Sequence, residues 1–185
     1  MTTILGIAGS LRKGSFNHAL LDNARDLMPA GSTLEVAGIE RIPVYDGDFE
    51  RNQGLPEAVV ALKDRITAAD GLLLASPEYN NSLPGPLKNA VDWLSRPPDD
   101  IPRVFGGRPV AVIGASPGGF GTVLAQNAWL PVLRTLRTRP WFGGRLMVSG
   151  AHRLLDDHGR LTDDKTRESL REFLAGFVEF VAARS

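Results

Sequence analysis

The sequence contains no cysteine. That excludes disulfides, thiolate nucleophiles, iron–sulfur ligation and cysteine-held zinc. Histidine is scarce too: His18, His152 and His158 fall in separate segments without metal-ligand spacing, and read as solvated or locally bonded side chains. Neither charge sign prevails, since 21 Lys and Arg balance 21 Asp and Glu. A nucleic-acid binder usually presents a net basic face, so that class is disfavoured. No apolar run approaches the roughly 20 residues needed to cross a bilayer, and Met1-Thr2-Thr3 shows no basic leader. The expectation is a cytoplasmic protein with no membrane and no nucleic-acid partner. Repeats, low-complexity tracts and linkers are also missing. What remains is a chain of 185 residues, 43% hydrophobic and 23% charged, which suits a single domain over 1–185 with a sizeable core.

Apolar strand-like runs alternate with helical patterns. Strands are expected at Thr3–Ala8, Leu34–Ala37, Gly71–Ser76, Val110–Ala115 and Arg145–Ser149, and helices at Phe16–Met28, Pro56–Ala69, Pro84–Ser95, Gly121–Thr138 and Asp164–Ala183. The first, third and fourth strands are nearly continuous apolar runs, as in parallel strands covered on both faces. Five strands alternating with five helices imply an α/β doubly wound parallel sheet with right-handed connections. Pro97–Gly107 reads as a surface loop, and Thr162 or Asp163 as the cap of the last helix.

Ligands of such sheets sit outside the carboxyl ends of the strands, at the topological switch point. The loops after strands one, three and four therefore attract interest, and all three have unusual composition. After strand one comes Gly9-Ser10-Leu11-Arg12-Lys13-Gly14-Ser15, leading into a helix. It lacks the Gly-Lys-Ser/Thr of a Walker loop and the spacing Gly-x-Gly-x-x-Gly. Its hydroxyls, its two cations and the helix N-terminus suit a phosphate monoester, with Ser10, Arg12, Ser15 and Asn17 as side-chain donors. An ordinary strand-to-helix turn capped by Ser15 is the plain alternative. After strand three, Pro77-Glu78-Tyr79-Asn80-Asn81-Ser82 offers Tyr79 to stack on a planar ring and amides to meet ring heteroatoms; a turn with a surface tyrosine fits equally. Glu78 has no His or second carboxylate beside it and reads as a structural or ring-positioning group. After strand four, Ser116-Pro117-Gly118-Gly119-Phe120-Gly121 lets a planar ligand approach the backbone; a flexible turn is the alternative.

The helix Pro84–Ser95 carries one apolar stripe, Leu83, Leu87, Ala90, Val91 and Leu94, with Pro86 and Trp93 on another face. The second face suggests self-association as a homodimer or homotetramer, unless Trp93 packs under Pro97–Gly107.

Taken together, these motifs resemble the NADPH-dependent FMN reductase family, the flavodoxin-like group with bacterial quinone, azo-dye and chromate reductases. The resemblance rests on Gly9-Ser10-Leu11-Arg12 with Ser15 and Asn17, on Ser76-Pro77-Glu78-Tyr79-Asn80-Asn81-Ser82 leading into Pro84–Trp93, and on Ser116-Pro117-Gly118-Gly119. It implies FMN as cofactor, NADPH or NADH as co-substrate, a flavodoxin-like sheet of order 2-1-3-4-5, dimers or tetramers, and ping-pong transfer of two electrons to a small-molecule acceptor such as a quinone, a flavin or an azo compound. Carried over, Ser10, Arg12, Ser15, Phe16 and Asn17 would hold the FMN phosphate. Pro77, Glu78, Tyr79 and Asn80 would flank the isoalloxazine, and Ser116, Gly118 and Gly119 would complete the ring and ribityl contacts. No protein nucleophile or general base is then required. Arg12, Lys13 and Arg103 are the cations that could favour a coenzyme 2′-phosphate. The rival readings are a flavodoxin-type electron carrier, a flavin-binding module without NAD(P)H turnover, and a phosphatase, whose small α/β form needs the missing cysteine.

Overall fold

The structure, a computed structural model, describes residues 1–183. Its elements are β1 (Thr2–Ala8), α1 (Phe16–Asp26), β2 (Ser32–Ala37), α2 (Gly47–Gln53), α3 (Glu57–Ala68), β3 (Gly71–Ala75), α4 (Gly85–Leu94), α5 (Ile101–Val104), β4 (Pro109–Ala115), α6 (Val123–Thr135), β5 (Arg139–Pro140), β6 (Met147–Val148) and α7 (Asp164–Ala182). All strands are parallel, in the order β2-β1-β3-β4-β5, with β6 also paired to β4.

Every residue of β3 is buried, because both faces of the sheet are covered. Leu72 and Leu74 point into a core shared with Leu5, Ile66, Leu87 and Trp129, under α3, α4 and α6. Leu73 and Ala75 point the other way, among Ile4, Ile113, Leu21 and Phe177, under α1 and α7. Side chains alternate at period two, yet both directions are apolar, which is why the run shows no alternation.

The helix starts follow their caps. The Ser15 hydroxyl accepts from the N–H groups of Asn17 and His18 at 3.2 and 3.4 Å, and the Asp163 carboxylate accepts from Thr166 N at 2.7 Å. A short helix the pattern did not suggest, α2, begins where Asp46 accepts from Asp48 N at 2.8 Å.

Three expectations are corrected. The fifth strand, expected over Arg145–Ser149, is a strand only at Met147–Val148, beside Gly114 and Ala115. The other end of that edge is filled by Arg139–Pro140, beside Pro109 and Val110. Between the two segments Trp141 turns inward onto Phe173, ring centroids 4.8 Å apart. A Cβ on Gly143 or Gly144 would stand only 2.6 or 2.8 Å from the Trp141 ring. The indole thus takes the space a continuous strand would need. The second correction concerns Trp93, which is fully buried. It is covered by the segment after β2: Tyr45 packs edge-on at 4.9 Å and Trp93 Nε1 donates to Pro43 O at 2.9 Å. Self-association through that helix therefore loses Trp93 as its apolar basis. Pro97–Gly107, expected as a surface loop, holds the short helix α5, buries Val104 and Phe105 in the core, and is pinned by the buried Lys63, whose Nζ donates to Asp100 Oδ2 at 2.6 Å.

Candidate functional site

Parallel register brings the carboxyl ends of β1, β3 and β4 to one edge, with Ala8 level with Ala75, and Ala75 level with Ile113. The loops that follow are tied to one another by specific bonds. Asn17, at the start of α1, is buried and pairs with the Ala115 peptide: Nδ2 donates to the Ala115 carbonyl at 2.9 Å and Oδ1 accepts from its N–H at 3.0 Å. That pair locks the first loop to the fourth strand. Glu78 locks the third-strand loop to α6, because its Oε2 accepts from Leu124 N at 2.8 Å and Ala125 N at 3.0 Å. The α6 N-terminus has no side-chain cap of its own, so the carboxylate from another loop satisfies its free N–H groups and meets the positive end of its dipole. Trp129 adds a second tie, with its buried Nε1 donating to Ser76 Oγ at 2.8 Å. Tyr79 completes the circuit, since its hydroxyl reaches Ser10 Oγ at 3.5 Å.

The first loop is built to take an anion. Among the described residues, the backbone N–H groups of Ser10, Leu11, Lys13, Gly14, Ser15 and Phe16 find no acceptor, whereas Arg12 N donates to Ser10 Oγ at 3.3 Å. Ser10 and Ser15 are buried beneath this arc. The Arg12 guanidinium lies over the Phe16 ring, 5.0 Å from its centroid, and stays exposed above the loop. A row of unpaired N–H groups at a helix N-terminus, topped by a guanidinium, fits a phosphate.

The other two loops stand at the same edge, with Tyr79, Asn80 and residues 117–120 exposed. Tyr79 and Ser82 form an antiparallel bridge closed by Asn80 and Asn81, both at positive φ (50° and 60°). Two such residues make a tight turn of the type that Asn tolerates. Pro77 is buried under this hairpin, while Tyr79 and Asn80 are exposed. Opposite, the Ser116 hydroxyl donates to Gly121 O at 2.7 Å. A Cβ on Gly119 would meet nothing within 4 Å, and one on Gly118 only Ser116 Oγ at 3.7 Å. Neither glycine is forced by the chain's own packing; a side chain at either would stand in open space. By contrast, a Cβ on Gly114 would stand 2.1 Å from Thr122 Oγ1, so that glycine lets the loop fold tightly back. The three parts fit FMN: an anion cradle, an exposed aromatic hydroxyl and an unobstructed backbone wall.

A fourth stretch lies at this edge, outside the three loops that the sequence motifs single out. The turn after β6 is bonded to the β4 loop, Gly150 N to Gly118 O at 3.1 Å and Ala151 N to Ser116 O at 3.0 Å. The Arg153 guanidinium folds over Gly150, near enough that a Cβ there would lie 2.6 Å from it. The signal was present in the sequence, because this turn follows the last strand at the same carboxyl edge. Arg103, considered for a 2′-phosphate, is taken up by Asp100 at 2.7 and 2.8 Å.

An open parallel sheet of this strand order, with a phosphate-fitting first loop, defines a flavodoxin-like mononucleotide-binding protein. Comparison with known proteins carries this further. Residues 2–153 match the family model described as NADPH-dependent FMN reductase, and the chain belongs to that family. It is an oxidoreductase, with FMN as cofactor and NAD(P)H as co-substrate. An NAD(P)H-dependent FMN reductase of Pseudomonas aeruginosa is 46% identical over 171 residues, covering 92% of this chain and 90% of the relative. A quinone reductase of Escherichia coli is 35% identical over 183 residues, covering 96% and 94%. Among solved structures, the flavoenzyme NAD(P)H:acceptor oxidoreductase FerB from Paracoccus denitrificans superposes with a TM-score of 0.87 at 35% identity, over 98% of each chain. No helix among the described residues is long and apolar enough to cross a membrane.

Proposed function

We propose that the protein binds one FMN across the three tied loops and passes two electrons from NAD(P)H to a quinone, flavin, azo or similar planar acceptor. The observation that carries this reading is the arc of N–H groups over Ser10–Phe16, all unpaired save that of Arg12, tied through Asn17 to the end of β4 and through Tyr79 to the loop after β3. The phosphate would take those N–H groups with Ser10, Arg12 and Ser15, and Phe16 would hold Arg12 in place. Asn17 serves as a brace, since its amide is spent on Ala115. The ring would lie against Pro77, Glu78, Tyr79 and Asn80 on one side, and Ser116, Gly118 and Gly119 on the other.

When bound, FMN supplies the redox chemistry. The chain's own part is to position it and keep one face open. Tyr79 and the Gly118–Gly119 backbone would order the ring, while Glu78 and Trp129 keep those two walls in register. One open face serves coenzyme and acceptor in turn, which gives a ping-pong scheme.

The test is an absorbance spectrum of the purified protein, followed by initial rates of NAD(P)H oxidation with a panel of quinone, flavin and azo acceptors. A bound flavin, parallel double-reciprocal lines, and FMN affinity about tenfold weaker in Arg12→Ala are expected, the last from loss of one charge-assisted contact. Colourless protein that takes up no added FMN overturns the reading. Flavin that is bound but never reduced by NAD(P)H leaves a carrier instead.

A further inference from the structure

The two loops that frame the ring site carry no cation. Ser76–Leu83 and Ser116–Thr122 contain one charged residue, Glu78, and its carboxylate is already bonded. A nicotinamide coenzyme brings a diphosphate, and NADPH a 2′-phosphate as well. Its adenosine half must find cations elsewhere along the rim.

They stand on the other side of the phosphate loop. A groove of about 1040 Å³ opens there, between the loop with the outer face of α1 and the stretch His152–Arg160. Asn23 sets its width, with Nδ2 donating to Gly159 O at 2.7 Å and Oδ1 accepting from Leu161 N at 2.9 Å. These bonds hold the hairpin that closes at the Leu155–Leu161 bridge against the middle of α1. All three histidines of the chain line this groove, with Arg12, Lys13 and Arg160. Among the described residues, the side chains of Lys13, His18, His152, His158 and Arg160 make no hydrogen bond and no ion pair within 4 Å, although the charges of His158 and Arg160 act on the Asp156 carboxylate. Arg25 pairs with Asp22 at 3.4 Å, Asp156 accepts from the N–H groups of His158 and Arg160 at 2.9 and 2.8 Å, and the carboxylates of Asp26, Glu40 and Asp157 line the groove as well.

The fold sets the order of the charges along the groove. Lys13 stands on the loop after β1, His152 follows the turn bonded to the β4 loop, and Glu40 lies just beyond the carboxyl end of β2, all at the rim; Arg160 and His158 flank Gly159, which is bonded to Asn23 beside the middle of α1, and Asp26 ends the helix at the far end. From Phe16 to Asp26 the helix rises about 15 Å. Lys13 and His152 at the rim suit phosphates, and Asp26 at the far end suits the donors of a sugar or an amino-bearing base, while Glu40 at the rim opposes a bound phosphate. Asp157, on the same hairpin as Arg160, moderates the affinity for phosphate.

We infer that this groove receives the adenosine-phosphate half of NAD(P)H, with Lys13, His152 and Arg160 contacting its phosphates. The inference rests on the rim being the FMN site. The experiment uses the FMN-loaded protein, so that the phosphate loop is already filled. Imidazole NMR signals of the three histidines are followed during titration with 2′,5′-ADP and, separately, with ADP. Saturable shifts are expected, weakened about tenfold in Lys13→Ala or Arg160→Ala from loss of one charge-assisted contact. The FMN absorbance of Arg160→Ala should be unchanged, while its KM for NADPH rises by a similar factor with kcat retained. A response to 2′,5′-ADP alone assigns the cations to the 2′-phosphate; an equal response to both assigns them to the diphosphate. The inference is overturned if the protein holds FMN and oxidises NADPH, yet no histidine signal moves at saturating 2′,5′-ADP and ADP. Failure to take up FMN at all would instead strike the functional reading beneath it.

Discussion

Removing the Glu78 carboxylate should loosen two walls of the site at once. Its Oε2 is the acceptor for the first-turn N–H groups of Leu124 and Ala125 on α6, at 2.8 and 3.0 Å. The side chain is half-buried, so water can replace part of what is lost. A missing cap together with a missing charge at a helix N-terminus costs about 1–2 kcal/mol. For a chain of this size that lowers Tm by about 3–6 °C. The Pro77–Asn80 loop would also lose its tie to α6, and FMN should bind about three- to tenfold more weakly, a share of the same free energy. Thermal melts of the apoprotein and fluorescence titration with FMN read both effects in Glu78→Ala. Glu78→Gln keeps an acceptor and loses the charge, so it should show about half the Tm loss and retain kcat within about twofold. Unaltered Tm and FMN affinity in Glu78→Ala would refute the clamp. Lost turnover in Glu78→Gln, with stability and FMN binding intact, would make Glu78 an acid–base group instead.

Asn17→Ala leaves the buried N–H and carbonyl of Ala115 without partners and should destabilise the fold by about 2–3 kcal/mol. Urea unfolding measures it, and a loss below about 0.5 kcal/mol would contradict the brace, that being the ordinary range for a surface change. Asp100→Ala strands the Lys63 ammonium, whose side chain is 2% exposed, with only the Arg96 carbonyl left. Because Asp100 itself is 22% exposed, the cost is about 2–3 kcal/mol, below that of a fully buried pair. The Arg103 guanidinium and the Lys63 ammonium hold the Asp100 carboxyl well below the usual carboxylate range. With the folded-state value depressed, this group's stabilisation is complete above about pH 4 and is lost as the pH falls further. Melts between neutral pH and pH 3 should therefore show a shallower acid-side decline in Asp100→Asn; an identical decline would count against the pair.

Local order was legible where a short stretch decides its own structure. Ser15 and Asp163 cap the helices that follow them, and apolar runs such as Leu72–Ala75 announce strands covered on both sides. The sheet order follows from a resemblance carried by three loops. Less legible were features set by residues far apart in the chain. Trp93 looked like spare surface because nothing near it in sequence shows that Pro43, Tyr45 and Phe49 fold over it. The fifth strand looked continuous because Trp141 meets Phe173 only in the folded core.

The site divides along the same line. Sequence alone determined that hydroxyls, a guanidinium and glycines stand in three loops at strand ends, because residue type and spacing are local properties. Only the tertiary structure decided what several of them do. Asn17 faces Ala115 rather than an open cradle, Glu78 caps a helix that begins 45 residues later, and all three histidines converge on one groove. Those partners are chosen when parallel register sets the loops side by side, and no spacing along the chain encodes which donor will then lie within hydrogen-bond reach.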